Sequence, residues 1–273
     1  YFQADTRSLM DRHKPLPPRS PKIPAALANQ LQTANGTQVT PANAIRFIRQ
    51  ILTQKKPLRT QTTGTDGQQR VIIKTQFKLV PDHLQRRAKK YRQRVAHEAK
   101  RQQLDIPLIF AIMETESFFN PKARSPVPAF GLMQLVPSSG ARDAYRFLHK
   151  QDKLVTDRYL YDADQNIEMG SAYLHILMFR YLKGITNEQS RQWCAIAAYN
   201  TGAGNVYRAF VGQYRRSTFG DRKTWKKQAL AKINALSSEQ VYQHLRQHLP
   251  YKETQHYMKK VRKRMQHYQA WRS

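Results

Sequence analysis

Hydrophobic and polar positions change period near residue 81. Upstream, Ala42, Ile45, Ile48, Ile51 and Leu52 recur at helical spacing behind Thr40-Pro41, a pair suited to N-cap and first helical position. The cluster Thr63-Gly64-Thr65-Asp66-Gly67 then marks a turn. After it Val71, Ile73, Thr75, Phe77 and Leu79 alternate with Arg70, Lys74, Gln76 and Lys78, a strand pattern that makes a hairpin with what precedes the turn. Residues 20–81 therefore read as a small α+β domain. From Asp82 the period is helical throughout: a basic segment from Leu84 to Gln103 with a thin stripe of Ala88, Tyr91, Val95 and Ala99, then a helix from Ile106 to about Phe118, capped by Asp105 and stopped before Asn120-Pro121. Further helices are predicted at Ser138–Leu148, Asp164–Leu182, Glu188–Tyr199, Asn205–Val211, Arg222–Leu236, Ser238–His248 and Thr254–Trp271. No strand pattern and no fixed-period repeat occurs after residue 81, so 82–273 reads as all-α.

The first 19 residues fall outside both patterns. Tyr1-Phe2-Gln3 resembles the scar of a protease-cleavable tag, and 14–24 hold five prolines in an extended lead-in. A chain without an initiator Met is expected to have lost its natural N-terminus, and with it any signal peptide or lipid anchor.

Composition adds a contrast. The 273 residues carry 47 Lys and Arg against 18 Asp and Glu, a net charge of +29. Residues 1–103 hold 21 basic and 5 acidic side chains, residues 212–273 hold 15 and 3, and the centre, 104–211, holds 11 and 10. Basic flanks of this kind suit an anionic partner, whether nucleic acid, cell-wall polymer or membrane surface. No run approaches the ~18 apolar residues of a membrane-spanning helix. The single cysteine, Cys194, excludes an internal disulfide framework and a cysteine-based zinc site, and reads as a small buried apolar residue.

The chemistry lies in the neutral centre. In Met113-Glu114-Thr115-Glu116-Ser117-Phe118-Phe119-Asn120-Pro121, a helical step of about 100° places Glu116 within about 60° of Ile109, Ile112 and Met113, and Glu114 about 200° away from Glu116. A carboxyl on the apolar stripe of a buried helix resists ionisation, which is the condition for a general acid at neutral pH. A Glu on a helix is otherwise a solvated surface charge, and the residues downstream of it decide between the two.

Ser125 stands nine residues after Glu116, succeeded by Gly131-Leu132-Met133-Gln134, Ala198-Tyr199-Asn200, and Pro250-Tyr251-Lys252-Glu253-Thr254 with Tyr257 beyond. In this order the blocks resemble the lysozyme-like catalytic domain of the lytic murein transglycosylases, whose pattern is Glu-Ser-x-(Phe/Trp)-Asn-Pro, a later Ser, Gly-Leu-Met-Gln, Ala-Tyr-Asn and Pro-aromatic-x-Glu-Thr. The likeness covers roughly 85–270. With the lead-in Val80 to Ala88 and the small N-terminal domain, it extends to the membrane-bound lytic murein transglycosylase C subfamily. One departure is Pro128-Ala129 ahead of Gly131, where many members have Gly-Ala; the spacings from Glu116 to Ser125 and Gln134 are intact.

The resemblance implies an all-α lysozyme-like domain over 82–273 that cuts the β-1,4 bond between N-acetylmuramic acid and N-acetylglucosamine in peptidoglycan glycan strands, closing the muramyl 6-hydroxyl on C1. Glu116 would be the sole catalytic carboxylate, needing no metal and no cofactor. Ser125 would bond near the substrate's N-acetyl group; Met133, Gln134, Tyr199, Asn200, Glu253 and Tyr257 would line the sugar cleft. Four of these have a plainer reading: Ser125 as a loop residue before Pro126, Tyr199 and Asn200 as a helix stop, Tyr257 as core. A second carboxylate from Asp162, Asp164 or Glu168 would turn the reaction into a water-consuming, lysozyme-type hydrolysis, although helix capping and first-turn charge suit all three. A basic nucleic-acid-binding protein is the alternative of a different class, but no helix-turn-helix, zinc finger or RNA-binding motif accompanies the charge, and no nucleic acid is expected as partner. His244 and His248 share a helix face without a third ligand, which argues against a metal. The family implies the periplasm and an outer-membrane lipid anchor.

Overall fold

The computed structural model describes residues 30–272 except 34, 41, 55–57, 65, 75–78 and 81. The tag-like start, the proline-rich lead-in, Pro41 and the strand positions Thr75 and Phe77 lie outside the described residues. The chain divides into two compact units, 1–83 and 84–273; the pattern change in the sequence falls at 81.

In the first unit α1 (Ala44–Gln54) precedes β1 (Leu58–Thr63) and β2 (Gln69–Lys74), an antiparallel pair with Leu58 opposite Lys74 and Thr63 opposite Gln69. The helix begins later than Thr40, and the Asn43 carboxamide oxygen accepts from the Thr40 N–H (2.7 Å). Its inner face is also rotated. Ile45 and Ile48 are 67% and 52% exposed, while Phe47 is buried with half-buried Ala44 and Ile51 at the i−3 and i+4 positions beside it. The apolar face predicted around Ile45 and Ile48 therefore does not bury; the aromatic residue between them, with more surface to remove from water, takes the inward position.

The second unit is helical: α2 (His83–Lys89), α3 (Arg92–Gln102), α4 (Ile106–Ser117), α5 (Gly140–His149), α6 (Asp157–Leu160), α7 (Ala163–Ile176), a π-turn (Leu177–Tyr181), α8 (Glu188–Thr201), α9 (Ala203–Val211), α10 (Arg216–Phe219), α11 (Arg222–Asn234), α12 (Ser238–His248), α13 (Lys252–His267) and a closing 3₁₀ turn (Gln269–Trp271). Together the two units have the expected order, a small α+β unit and then an all-α unit. Among the described residues after 81 the only strand-like pairings are single bridges, Arg124 to Phe130 and Phe130 to Leu135.

Three differences from the pattern have local causes. The basic segment breaks at Lys90 and Tyr91, whose N–H groups bond i−3 carbonyls at Arg87 and Ala88 and end the α-helical turn. The long helix expected over 164–182 gives way to the π-turn, where Leu182 N–H reaches back to the Leu177 carbonyl (2.9 Å) and the Tyr181 carbonyl accepts from Tyr207 Oη (2.7 Å). Asp105 occupies the N-cap position of α4 but makes no side-chain cap bond; its carboxylate is held by both arms of Arg272 (3.0 and 2.8 Å).

At the centre of the core is α4. Pro107 occupies its first turn, where a missing N–H costs nothing, and Pro107 to Glu114 are all buried. It packs on α13 and on α3. The apolar α8 segment Trp193 to Ala198 is buried beside α12 and α13. Cys194 is fully buried there, its thiol pushed up by desolvation.

The loop between α4 and α5 is tied to α7 by one residue. Asn166, fully buried, donates to the Phe130 and Leu160 carbonyls (2.9 and 2.8 Å) and accepts from Met133 N–H (2.8 Å). Replacing it with Ala leaves the Met133 N–H and the Leu160 carbonyl unpaired, whereas the Phe130 carbonyl still accepts from Leu135 N–H (3.1 Å). Asn166→Ala should destabilise the fold by about 3 kcal/mol, read from urea unfolding as a lower midpoint at unchanged slope. A loss below about 0.5 kcal/mol, the scatter of ordinary surface substitutions, would show that the loop is held by other contacts.

Candidate active site

The end of α4 is shaped by two successive residues in the left-handed region, Phe118 (φ 49°) and Phe119 (φ 61°). Such conformations cost about 1 kcal/mol or more each outside glycine. They are offset here by the burial of Phe119 against Phe110 and Tyr268 (centroids 6.3 and 6.2 Å) and by Arg87 Nη1, which donates to the Phe118 carbonyl (3.1 Å). The chain thus leaves α4 sharply just beyond Glu116 and turns into the 123–135 loop. Ser117 Oγ ties that loop down by donating to the Leu132 carbonyl (2.7 Å). Gly131 (φ +79°) sits where a Cβ would lie 2.2 Å from the Leu160 carbonyl oxygen, so only glycine fits the turn.

Glu116 is half-buried at this end of the helix. Tyr257 of α13 donates its hydroxyl to Glu116 Oε1 at 2.7 Å. Burial pushes the Glu116 carboxyl up to about 7; the Tyr257 hydrogen bond opposes that rise and the charge of Glu253 adds to it. Tyr199 and Tyr257 themselves ionise well above the ordinary phenol value, through desolvation first and the nearby Glu116 charge second. The group that titrates near neutrality here is therefore the carboxyl, with a neutral phenol donating to it, and such a carboxyl can give and take back a proton at neutral pH.

The route by which Glu116 becomes desolvated differs from the stripe geometry. α4 is buried on every side from Pro107 to Glu114 and has no single apolar face. Glu116 comes to the surface only because the helix ends within two residues. Of the carboxylates considered as a second catalytic group, Asp162 caps α7 by accepting from Gln165 N–H (3.0 Å), Asp164 is exposed in the first turn, and Glu168 is engaged by Arg94 (3.1 Å) and Arg101. The carboxylate whose charge reaches Glu116 is Glu253.

The remaining residues singled out in the sequence fall into two groups. Tyr199 and Asn200 end α8 on the side of Glu116. Tyr199 Oη donates to the Met133 carbonyl (2.8 Å), and exposed Asn200 accepts from Thr254 Oγ1 (2.7 Å) through its side-chain oxygen. Glu253 is exposed in the first turn of α13. Half-buried Gln134 sits at φ 48° and donates from Nε2 to the Ala123 and Gly131 carbonyls (3.1 and 2.9 Å), bracing the loop. The other three are turned inward. Ser125 Oγ donates to the Val127 carbonyl and accepts from Ala129 N–H (3.3 Å), so its hydroxyl is spent within its own loop. Met133 has no exposed surface; its thioether packs on α7 at Gly170, where a Cβ would fall 2.2 Å from the sulfur, and only its backbone serves the site. Tyr257 is 6% exposed, with no ring face free for a sugar. The side chains of Met133 and Tyr257 thus pack in the core, the core reading left open for Tyr257, and Tyr257 reaches Glu116 through its hydroxyl.

Sequence reasoning passed over Glu114. Only 5% of its side chain is exposed, and it is answered by Arg264 Nε of α13 (2.9 Å) and by the hydroxyl of Tyr268 just beyond that helix (2.6 Å). The 200° separation set Glu114 apart from Glu116, but nothing local marks its burial or its partner. No group of three or more His, Cys, Asp or Glu suited to a metal occurs among the described residues. His244 and His248 stack on one another (4.1 Å) and bond backbone carbonyls of Ala209 and His244.

Residues 93–220 match the family model of the Transglycosylase SLT domain. The chain is 39% identical over 211 residues to "Membrane-bound lytic murein transglycosylase C" of Sodalis glossinidius (strain morsitans), covering 77% of this chain and 54% of that protein. It is 40% identical over 214 residues to the protein of that name in Pectobacterium atrosepticum, covering 78% and 55%. The chain spans about half the length of the curated relatives it matches. Among solved structures it is similar to an inactive mutant of lytic transglycosylase Slt from Pseudomonas aeruginosa, with 27% identity, a TM-score of 0.47, and coverage of 64% of this chain and 23% of that one.

A carboxyl that is protonated in the fold near pH 7 but titrates near ~4.3 when unfolded makes a signed prediction. Between these values the native state binds more protons than the unfolded state, so this group's contribution to stability falls as pH rises from about 4.3 to 7 and stays low above. Glu116→Gln should therefore be more stable than the parent by about 1–3 kcal/mol at pH 8 and equal to it near pH 4. Urea midpoints at the two pH values test this, and parallel pH dependence of the two proteins would show that the carboxyl is not desolvated.

Proposed function

We propose, from the match of residues 93–220 to the family model of the Transglycosylase SLT domain, that this protein is a peptidoglycan lytic transglycosylase. The substrate is the β-1,4 bond between N-acetylmuramic acid and N-acetylglucosamine, and the product carries a 1,6-anhydromuramyl end. The observation that carries the reading is one desolvated carboxyl, Glu116, held by a neutral phenol and raised to about 7.

The chemistry balances with that one group. Protonated Glu116 gives its proton to the glycosidic oxygen as the C1–O bond breaks. The carboxylate left behind accepts the proton of the muramyl 6-hydroxyl as O6 bonds to C1. The acid is regenerated, no water is consumed, and no metal or cofactor takes part. The substrate's own N-acetyl group serves in place of a second protein carboxylate, the demand that two-carboxyl glycosidases meet otherwise. Tyr257 keeps the carboxyl aimed and Glu253 holds its proton on. Ser125, Gln134, Tyr199 and Asn200 frame the glycan from the loop and the end of α8; for Ser125 this requires its hydroxyl to exchange the Val127 carbonyl for the substrate.

We extend the envelope association in the relatives' name to this chain, with the periplasm and an outer-membrane lipid anchor as its setting. Its +29 charge suits a wall of carboxylate-bearing stems and an anionic membrane surface, with no nucleic acid as partner.

Purified sacculi treated with the protein should release muropeptides one water lighter than hydrolysis products, and Glu116→Gln should release none. Products heavier by one water would replace transglycosylation with hydrolysis; undiminished release by the variant would remove Glu116 from the chemistry. The rate should fall as pH rises through about 7, because the protonated carboxyl starts the reaction. Glu253→Gln should move that fall to lower pH and Tyr257→Phe to higher pH, since the first removes a charge that holds the proton on and the second a bond that favours its loss. A pH–rate profile of each variant decides, and a fall that stays in place in both would detach it from Glu116.

A further inference from the structure

Glu114 and Arg264 are the buried charges that the proposed chemistry does not use. Glu114 lies two residues from Glu116 on α4, pointing to the other side of the helix. Arg264 lies seven residues after Tyr257 on α13, about two turns along the same face. The two helices thus meet at two carboxyls: the Tyr257 hydroxyl on Glu116 (2.7 Å), and the Arg264 Nε and Tyr268 hydroxyl on Glu114 (2.9 and 2.6 Å). The second contact is the more enclosed. Arg264 is 15% exposed, its guanidinium lies 5.0 Å from the Phe118 ring centre, and its Nη1 is buried with no hydrogen-bond partner. Tyr268 is locked among Phe110, Phe119 and Trp271. A buried ion pair whose guanidinium is incompletely satisfied is a poor source of stability compared with apolar packing. Its evident use is to fix a register.

From this geometry we infer that Glu114 and Arg264 are positioning residues for the reaction. The pair holds α13 in the register at which Tyr257 reaches Glu116, and it keeps the charge behind the catalytic carboxyl at zero. The inference rests on Glu116 being the acid of the proposed reaction. The charge of Arg264 acts on Tyr257 already, so an unbalanced Arg264 would be felt across the helix. The groups facing the pair are half-exposed His267 at the end of α13 (Nδ1 3.8 Å from Glu114) and Tyr268 just beyond it; from the turn after α4, Phe118, whose carbonyl Arg87 of α2 holds. Those facing Glu116 are Tyr257 and Glu253 from α13 and Tyr199 from α8. His267 is far enough from Glu114 that Arg264 carries the compensation.

The signature is a pair of opposite shifts. Glu114→Gln leaves Arg264 unbalanced, which favours the ionised form of Glu116 and lowers its titration midpoint. Arg264→Gln leaves Glu114 unbalanced and raises it. Each shift should be about 0.5–1 pH unit, the size expected of one unbalanced charge near a partly buried site. The Glu114→Gln/Arg264→Gln double variant should return the midpoint to the parent value, and Arg264→Lys should leave it unmoved. The midpoint is read by carboxyl ¹³C NMR of the full chain, with the Glu116 resonance assigned by its loss in Glu116→Gln. This readout does not need turnover, so it stands or falls apart from the assignment of substrate. On sacculi, both single variants should lower kcat at least about 10-fold, equivalent to about 1.4 kcal/mol, with KM unchanged. Opposite shifts that cancel in the double variant establish the positioning role. Shifts of the same sign, or none, with additive losses of activity in the double variant, overturn it and leave the pair as ordinary core. Should either glutamine variant fail to fold, Tyr268→Phe, which keeps both charges and removes one bond to Glu114, serves instead: the positioning role requires lowered kcat at an unmoved midpoint, and unchanged kcat overturns it.

Discussion

Four hydrogen bonds close a circuit around the candidate site, and the arrangement of every functional segment depends on it. Ser117, beside the carboxyl, donates to Leu132 in the loop; Tyr199 at the end of α8 donates to Met133 in the same loop; Thr254 at the start of α13 donates to Asn200, next to Tyr199; and Tyr257 returns from α13 to Glu116. Each link joins segments far apart in the chain, the last spanning 141 positions. Each link ends on a backbone carbonyl or a side-chain oxygen, and except at exposed Asn200 the setting is buried enough that breaking one leaves a polar group without a partner. The four sequence blocks around Glu116, Met133, Asn200 and Tyr257 are thus a mechanical unit before they are a chemical one.

This explains why several conspicuous side chains turn inward. Met133 contributes a carbonyl oxygen rather than its thioether, and Tyr257 a hydroxyl rather than a ring face. A motif residue serves the site by bracing it as readily as by touching a ligand. The same logic applies to charge. The excess of Lys and Arg lies in the basic flanks of the chain, whereas Glu116 stands in the neutral centre, and the charge that reaches it from the C-terminal flank is another acid, Glu253. A cation in contact with Glu116 would have drawn its proton away; the opposite environment keeps it on.

Much of this was legible in the sequence, for reasons that can be given residue by residue. The helices were readable because their ends carry strong local signals, such as Asn187 and Asp221 at the starts of α8 and α11 and Ser237 with Gln240 in a capping box before α12. Glu116 was readable because the spacing of its neighbours is long and ordered. The α1 face was misread because periodicity counts apolar positions without weighing Phe47 against two isoleucines. The Glu114 pair was out of reach because it joins α4 to α13 across 150 residues, and no local pattern marks which of two nearby acids on a helix will find its cation. The inward turn of Met133 was illegible for the same reason, and for Tyr257 the sequence left core and cleft both open: a motif states which residue is present, whereas tertiary packing decides which of its atoms is offered.

Competing demands explain why a single carboxyl should be held this way. A glutamate at its ordinary value would be almost wholly ionised at pH 7 and unable to give a proton. One buried completely would hold its proton too tightly to lose it, and would be closed to any ligand. Placing Glu116 in the last turn of a buried helix meets both limits, because the helix desolvates it from behind while the sharp exit at Phe118 and Phe119 opens it in front. The Tyr257 bond then trims the rise that burial causes, and Glu253 restores part of it. The position of α4's end, more than the identity of any residue around it, is therefore what sets the acid. Shifting that end by one residue would rotate the carboxyl by about 100°, out of reach of Tyr257 and into the packing that now encloses its neighbours.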